Sequence, residues 1–244
     1  MSARLKAFSI HSAISILLAL AVIGLVFFIW YPAQLHTAVG VTQVFLILLA
    51  VDVVLGPLLT LVVYKAGKET LVIDLTVIAL LQLGALSYGL WTVAEGRPAW
   101  LVFAVDRFDL VRALDIDERK LDVTDIAYRT PSWLGPQWVA AVNPTNTDER
   151  NDIMLEALFA GVDIAQRPNL YKPLNSQTDA IQQRLLELST LPEFNSADNV
   201  STVLAQHSRA DAWLPLRANN QDMVVLMHKD TAEVIAIVDL RPWK

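Results

Sequence analysis

The chain contains no cysteine, and its other chemically reactive side chains are thinly spread. Without cysteine the protein has no disulfide, no thiolate nucleophile and no cysteine-ligated metal. The four histidines, His11, His36, His207 and His228, are scattered, and none lies in an HExxH pair or an acidic cluster at metal spacing. The sequence also lacks a G-x-S-x-G turn, a Walker loop and a glycine-rich turn between a strand and a helix. We therefore expect that the protein is not an enzyme and that it has no catalytic residue, metal, cofactor or small-molecule substrate.

Charge is scarce in the first part of the chain. Residues 1–96 hold four basic and four acidic side chains, whereas 15 basic and 21 acidic residues lie in 97–244. The formal net charge of −6 therefore belongs to the second part, and an acidic module is a poor partner for nucleic acid. Hydrophobic residues make up 54% of the chain, which is typical of a membrane protein.

Three long apolar runs predict transmembrane helices over about residues 10–30, 41–64 and 71–93. A rise of ~1.5 Å per residue carries helices of this length across a ~30 Å hydrocarbon layer. The first run is longer than the ~7–15 apolar residues of a secretory signal, and no small-x-small cleavage site follows it. We predict an uncleaved anchor and a transmembrane domain over 1–96.

The basic residues of this part indicate its orientation. They are Arg4, Lys6, Lys65 and Lys68. Because positive charge is retained in the cytoplasm, the N-terminus and the second loop are expected inside, and residues 97–244 outside. In a bacterium this places the protein in the inner membrane with a periplasmic domain. Four aromatic residues are expected to form the outer interfacial belt: Trp30, Tyr31, Tyr88 and Trp91.

Residues 97–244 predict an α+β domain with β-hairpins and about three helices, long enough to bury its own core. The predicted strands are 100–105, 108–113, 222–228 and 233–240, paired as two hairpins. The predicted helices are 152–165, 176–188 and 197–207, the last two capped by Ser176 and Ser196. Prolines and amide side chains predict an irregular connection over 132–146.

Asp52 interrupts the second apolar run, close to Gly56 and Pro57. An ionisable group in lipid is costly, so Asp52 must face other protein or a wet cavity. In an antiparallel pair of helices Gln82 lies at nearly the same depth, where its amide can donate to the carboxylate. Pro57 also leaves the carbonyl of Val53 without a helical partner. Two interpretations stay open: these groups only hold the helices together, or they also receive an incoming helix.

Asp74 is the second aspartate in an apolar run, and two membrane aspartates suggest an intramembrane protease. A proton-sharing dyad needs carboxylates about 3 Å apart. Depth along the helices separates Asp52 from Asp74 by more than ~10 Å, and neither lies in a G-x-G-D context. Asp52 and Asp74 are therefore not expected to form a catalytic pair. Asp74 is instead grouped with Asp52 as a helix-binding or hairpin-stabilising residue. Small residues expected to permit close helix packing are Ser15, Ala19, Ala85 and Gly89.

Several motifs together resemble the TfpX/TfpZ family of type IV pilin accessory proteins. The most specific is D-x-x-L-G-P-L-L-T over residues 52–60. The others are Lys6-Ala7-Phe8, His11, Ser15, Trp30-Tyr31-Pro32, Lys65, Gly67-Lys68, Asp74-Leu75, Ala79-Leu80-Leu81-Gln82, Arg97-Pro98, Phe103 and Asp106-Arg107-Phe108. The similarity is close over residues 1–110 and extends further only in length and in the closing hairpin.

The resemblance implies an inner-membrane protein required for normal pilin levels and pilus assembly. It implies a non-enzymatic chaperone whose partners are the major type IV pilin and membrane lipid. The alternative from another class is a membrane-anchored sensor or receptor for a periplasmic ligand. A sensor would normally need a cytoplasmic output domain, and only nine residues precede the first apolar run at Ile10.

Overall fold

The computed structural model describes residues 2–244, which divide into two compact units. Among the described residues, the first unit comprises 2–29 and Val41–Glu95, and the second comprises Trp30–Gly40 and Gly96–Lys244. The short segment Trp30–Gly40 therefore forms part of the second unit, although residue 30 was predicted to end the first span and residues 31–40 only to connect it to the next.

The first unit is built from three long helices. Helix α1 (Ala3–Gly24) continues as a π-helical turn (Leu25–Trp30), and a short α2 (Leu35–Val39) separates it from α3 (Thr42–Val63) and α4 (Leu71–Glu95). The three long helices are each long and apolar enough to cross a membrane. The predicted fold class, three long apolar helices followed by an α+β domain, is confirmed.

Helix α3 is the central helix of the first unit, since it packs against both α1 and α4. The Arg4 guanidinium donates to the carbonyls of Leu61 and Val62 and thereby satisfies two acceptors at the C-terminus of α3. Seven residues after Arg4 along α1, His11 Nδ1 and Thr60 Oγ1 are hydrogen-bonded at 2.6 Å. The N-terminal end of α1 therefore lies beside the C-terminal end of α3, so the two helices are antiparallel.

The second unit contains one mixed eight-stranded sheet with the order β4-β3-β1-β2-β6-β7-β8, and the short β5 pairs with β6. The strands are β1 Pro98–Ala104, β2 Arg107–Arg112, β3 Gln137–Ala141, β4 Tyr171–Pro173, β5 Leu186–Glu187, β6 Ala212–Arg217, β7 Met223–His228 and β8 Glu233–Val238. Strands β1 and β3 are parallel, as are β2 and β6. The two predicted hairpins, β1–β2 and β7–β8, are confirmed.

The sheet is curled. Leu101 of β1 and Trp138 of β3 line the same cavity as Val234–Ile237 of the opposite edge strand, β8. The helices of this unit are α5 Ile126–Arg129, α6 Thr147–Ala160, α7 Thr178–Gln182 and α8 Ala197–Gln206. The 3₁₀ turns are Ala113–Asp115, Glu118–Val123, Ile164–Gln166, Pro168–Leu170, Leu174–Gln177 and Leu188–Glu193.

Two predictions for the second unit were wrong in detail, and one strand was missed. Helix α6 begins five residues before the predicted start, because the Asn146 side chain accepts from the backbone N–H groups of Asp148 and Glu149. The helix also ends earlier, at Gly161 in the left-handed conformation. The segment 132–146 was not irregular throughout, because β3 lies within it. Strand β6 was not predicted at all.

The predicted helix over 176–188 was also wrong. This stretch forms the short α7 and then β5, which pairs with β6. The indole N–H of Trp213 donates to the carbonyl of Glu187 at 3.0 Å and to the hydroxyl of Thr190 at 3.1 Å. These contacts to a distant strand override the local helical pattern. The helix predicted over 197–207 is confirmed as α8, with Ser196 as its N-cap.

Segment Trp30–Gly40 belongs to the second unit because its side chains enter that unit's core. Tyr31, Leu35 and Ala38 are fully buried. The carbonyl of Ala38 accepts from the backbone N–H groups of Asn220 and Gln221 at 2.9 and 3.1 Å. Tyr31 therefore does not face outward as the aromatic-belt prediction requires, although Tyr88 and Trp91 are exposed on α4.

Candidate functional site

The candidate site lies where α3 meets α4, around the Asp52 side chain. The buried residues of α3 include Phe45, Leu49, Asp52, Gly56 and Thr60. Their spacing of three or four residues places them on one face of the helix. Asp52 is 8% exposed, so its carboxylate is covered by protein, as its cost in lipid requires.

Gln82 of α4 supplies the polar partner of Asp52. Its amide Nε2 donates to the main-chain carbonyl of Asp52 at 2.9 Å and to the carboxylate Oδ1 at 3.3 Å. Both partners are acceptors, so the nitrogen of the amide must face them. The hydrogen bond expected from helix depth is therefore present, and it joins α4 to both the backbone and the side chain of α3.

Gly56 makes room for this contact. A Cβ atom at Gly56 would collide with the Cδ, Nε2 and Oε1 atoms of Gln82. Pro57 is buried beside it, and its ring removes the donor that the carbonyl of Val53 would otherwise use. The amide of Gln82 binds the carbonyl of Asp52, which is one residue before the carbonyl that Pro57 leaves free. We call Asp52, Gly56, Pro57 and Gln82 the notch.

A cavity of about 180 Å³ opens at the notch between α3 and α4. Its lining is apolar except for Asp52 and Gln82 and consists of Leu48, Val51, Asp52, Leu55, Gly56, Leu59, Ile78, Leu81, Gln82, Ala85 and Leu86. The Oε1 atom of Gln82 is buried and has no hydrogen-bond partner among residues 2–244. The notch is thus a polar point at the base of an apolar groove.

Asp74 is not part of this groove. It lies in the first turn of α4, eight residues before Gln82 and so about 12 Å away along the helix axis. Its carboxylate pairs with Lys68 Nζ at 2.5 Å and accepts from Thr70 Oγ1 at 3.2 Å. The structure therefore brings Asp74 to the loop before α4, where a carboxylate also complements the helix dipole.

Three of the four small residues lie in packed positions, whereas Ala85 is exposed at the cavity. Ser15 and Ala19 are buried on α1, which packs against α3. Ala85 lines the cavity, and a Cβ atom at Gly89 would collide with the side chain of Leu48 on α3. The close helix approach is thus observed at Gly89, and the packing role of Ala85 stays a prediction.

Sequence reasoning missed the pair of His11 and Thr60, which links α1 to α3. A signal was available, because His11 lies four residues before Ser15 and eight before Ala19 on one helix face. Thr60 likewise lies eight residues after Asp52 on the buried face of α3.

Residues 1–36 match the family model described as "Fimbrial assembly protein FimB". The "Fimbrial assembly protein, serogroup E1" of Dichelobacter nodosus is 30% identical over 234 residues, covering 92% of this chain and 91% of that protein. The "Fimbrial assembly protein, serogroup I" of the same organism is 31% identical over 180 residues, covering 73% and 70% of the two chains. No solved structure matches this chain. The extent of the similarity to these relatives shows that the chain belongs to the fimbrial assembly protein family.

Proposed function

We propose that this protein is an inner-membrane assembly factor for type IV fimbriae that binds the major pilin and stabilises it before the fimbria is built. Membership of the fimbrial assembly protein family supports the role in assembly. The groove at the notch supports the binding of a helix. We propose a chaperone without covalent chemistry, as the TfpX/TfpZ resemblance implies.

The observation that carries the proposal is an apolar groove with a polar base on the outside of a helix pair. Within lipid, helices associate through close packing and interhelical hydrogen bonds rather than through a hydrophobic driving force. Val51, Leu55 and Leu59 recur every four residues along α3 and are each about half exposed. A pilin waiting in the bilayer presents one long apolar helix, and such a helix can lie in this groove.

Stabilisation of pilin follows from mass action. By binding membrane-resident pilin, the protein lowers the free population that is open to degradation. The pilin is thereby stabilised by a free energy of RT ln(1 + [L]/Kd), where L is the assembly factor. Loss of the protein should lower the pilin level and leave the mature pilin N-terminus and mass unchanged. Raising its level should raise pilin in a saturable way. A pilin of altered mass in the deletion strain would overturn the chaperone proposal in favour of an enzyme.

Adjacent leucines on α4 give a matched test of the groove. Leu81 is 68% exposed and lines the cavity, whereas Leu80 is 66% exposed and is not among the described residues that line it. Leu81→Trp should fill the groove and reduce the pilin that co-purifies with the protein in detergent, while Leu80→Trp should not. Equal recovery of pilin with the two variants would contradict binding at the notch.

The proposed orientation places the N-terminus and the loop before α4 in the cytoplasm and Gly96–Lys244 in the periplasm. The support is the distribution of Lys and Arg among the loops. Reporter fusions after Gly67 should behave as cytoplasmic, and fusions after Gly96 as periplasmic. A cytoplasmic signal from the second fusion would overturn the orientation.

A further inference from the structure

An apolar turn protrudes from the second unit between Pro131 and Pro136. Leu134 is 85% exposed and Trp133 is 50% exposed, and we call these two residues the Trp133–Leu134 tip. The turn has a defined shape, because the Ser132 hydroxyl accepts from the Leu134 N–H at 2.9 Å and Gly135 adopts a φ of 108°. Neighbouring exposed apolar side chains on a shaped turn indicate a contact surface.

Two residues hold the tip from behind. The indole N–H of Trp30 donates to the carbonyl of Trp133 at 3.1 Å, and the two rings lie 5.9 Å apart. On another side, the guanidinium carbon of Arg97 lies 4.0 Å from the centroid of the Trp133 ring, which is a cation–π contact. The Trp133 ring is thus fixed in place and not a freely rotating surface side chain.

Both supporting residues are adjacent in the chain to the ends of long apolar helices. Trp30 is the last residue of the first candidate membrane span, Ala3–Trp30. Arg97 follows the last residue of α4, Glu95, by two positions, and two residues of chain reach at most ~7 Å. Trp133 therefore contacts two residues that the chain ties directly to the ends of the first and third spans. Tryptophan is enriched at the membrane interface because its ring is apolar and its N–H is polar.

We propose that the Trp133–Leu134 tip inserts into the phospholipid interface, where the acyl chains meet the head groups. The occupant of this surface is the lipid layer that surrounds the ends of the spans. Insertion removes the two apolar side chains from water. It does not depend on lipid charge, because Arg97 is 3% exposed and stacked on Trp133, and the formal charge of the whole chain is −6. This site is independent of the proposed pilin binding.

The naturally cysteine-free chain allows a direct test. The full-length Leu134→Cys protein is labelled with an environment-sensitive fluorophore and placed in phosphatidylcholine nanodiscs. The reference is Phe159→Cys, since Phe159 is an apolar side chain of α6 with a matching exposure of 86%. The label at 134 should emit at shorter wavelength than the label at 159, and a nitroxide on the upper acyl chain should quench it. Iodide should quench it several-fold less than it quenches the same label on free cysteine amide. Iodide quenching at 134 equal to that of the free label would overturn the proposal.

Two further arms separate lipid from other occupants. Replacing part of the phosphatidylcholine with phosphatidylglycerol should leave the emission unchanged, because the contact is apolar. Oxidation of the unlabelled Leu134→Cys protein in nanodiscs holding two copies should give no disulfide-linked dimer above the level seen with Phe159→Cys. A dimer formed efficiently through residue 134, with iodide excluded, would assign the tip to a second copy of the chain and overturn the lipid assignment.

Discussion

The two units distribute their polar and apolar side chains in opposite ways. The first unit turns Asp52 and Thr60 inward and exposes large aliphatic residues such as Leu17 and Val62. The second unit buries Trp100, Leu214 and Met223 and carries most of its ion pairs on the surface. The first arrangement suits hydrocarbon and the second suits water.

This inversion changes which residues are informative in each unit. In the first unit the unusual residue is a buried polar one, and the Asp52–Gln82 pair indeed lies where two helices meet. In the second unit the unusual residue is an exposed apolar one, and Leu134 is among the most exposed. A functional surface is therefore marked by a buried polar residue in the first unit and by an exposed apolar residue in the second.

The largest expected effect on stability comes from Leu35, which lies between two transmembrane runs in the sequence but in the core of the second unit in the fold. Leu35 is 1% exposed. Leu35→Ala should lower the unfolding free energy of that unit by about 2–5 kcal/mol, because it leaves a cavity in a core. Urea unfolding in detergent, followed by tryptophan fluorescence, measures it. Leu155→Ala is the control, since Leu155 is 47% exposed, and equal effects would show that segment 30–40 is not part of that core.

The next largest effect tests the close approach at the notch. Gly56→Ala should destabilise the α3–α4 pair by about 1–3 kcal/mol, because the new methyl group collides with the Gln82 amide. Gly84→Ala is the matched control, since a Cβ atom there meets open space among the described residues. Its effect should be neutral or stabilising by up to about 1 kcal/mol. Reversible unfolding in mixed micelles compares the two, and a Gly56→Ala variant as stable as Gly84→Ala would refute the packing argument.

A smaller effect is expected from the polar pair itself. Asp52→Leu with Gln82 retained should destabilise the helix pair by ~0.6–2 kcal/mol, the range of interhelical hydrogen bonds in membranes. Asp52→Asn should be tolerated better, because an amide oxygen still accepts from Nε2. Cysteines introduced at positions 52 and 82 should also crosslink. The prediction fails if the leucine and asparagine variants unfold alike, or if cysteine pairs one turn away crosslink while this pair does not.

The smallest effect concerns the ion pairs that Glu156 makes with the exposed Arg119 and the buried Arg167. Hydrogen bonds from Arg119 and Arg167 lower the pKa of Glu156 to about 2. A lowered pKa means that the folded state favours the charged carboxylate, so this contribution is present above the ordinary value near 4.5 and is lost as the pH falls towards 2. Glu156→Gln should be slightly less stable than the parent at pH 7. The difference should vanish in thermal melts at the lowest pH, and a constant difference would exclude the charge as its cause.

Parts of this structure follow directly from the sequence because they depend on local regularity. An apolar run of span length has one stable form in lipid, so the three long helices were predictable. The partnership of Asp52 and Gln82 was predictable for a related reason, since a constant helical rise converts residue number into depth. Ser196 and the closing hairpin likewise carry local signals.

The rest depends on contacts between residues that are far apart in sequence. No local pattern places Ala38 beside Asn220, and the pairing of β5 with β6 overrides a helical pattern. Strand β3 lies between prolines that suggested a loop, and its pairing is with the distant β1. Asp74 was grouped with Asp52 because both are acids in apolar runs, yet Lys68 is its partner.

Segment Trp30–Gly40 also affects the order in which the molecule can be completed. The Asn220 side chain donates to the carbonyl of Thr37 across 183 positions of the sequence, so the second unit closes around residues synthesised before two of the long helices. Such long-range closure is slow and leaves apolar surface exposed in the meantime. A fragment that starts at Gly96 would lack Tyr31, Leu35 and Ala38 and hence part of its interior. A soluble version of this unit should therefore carry residues 30–40 grafted through a flexible linker.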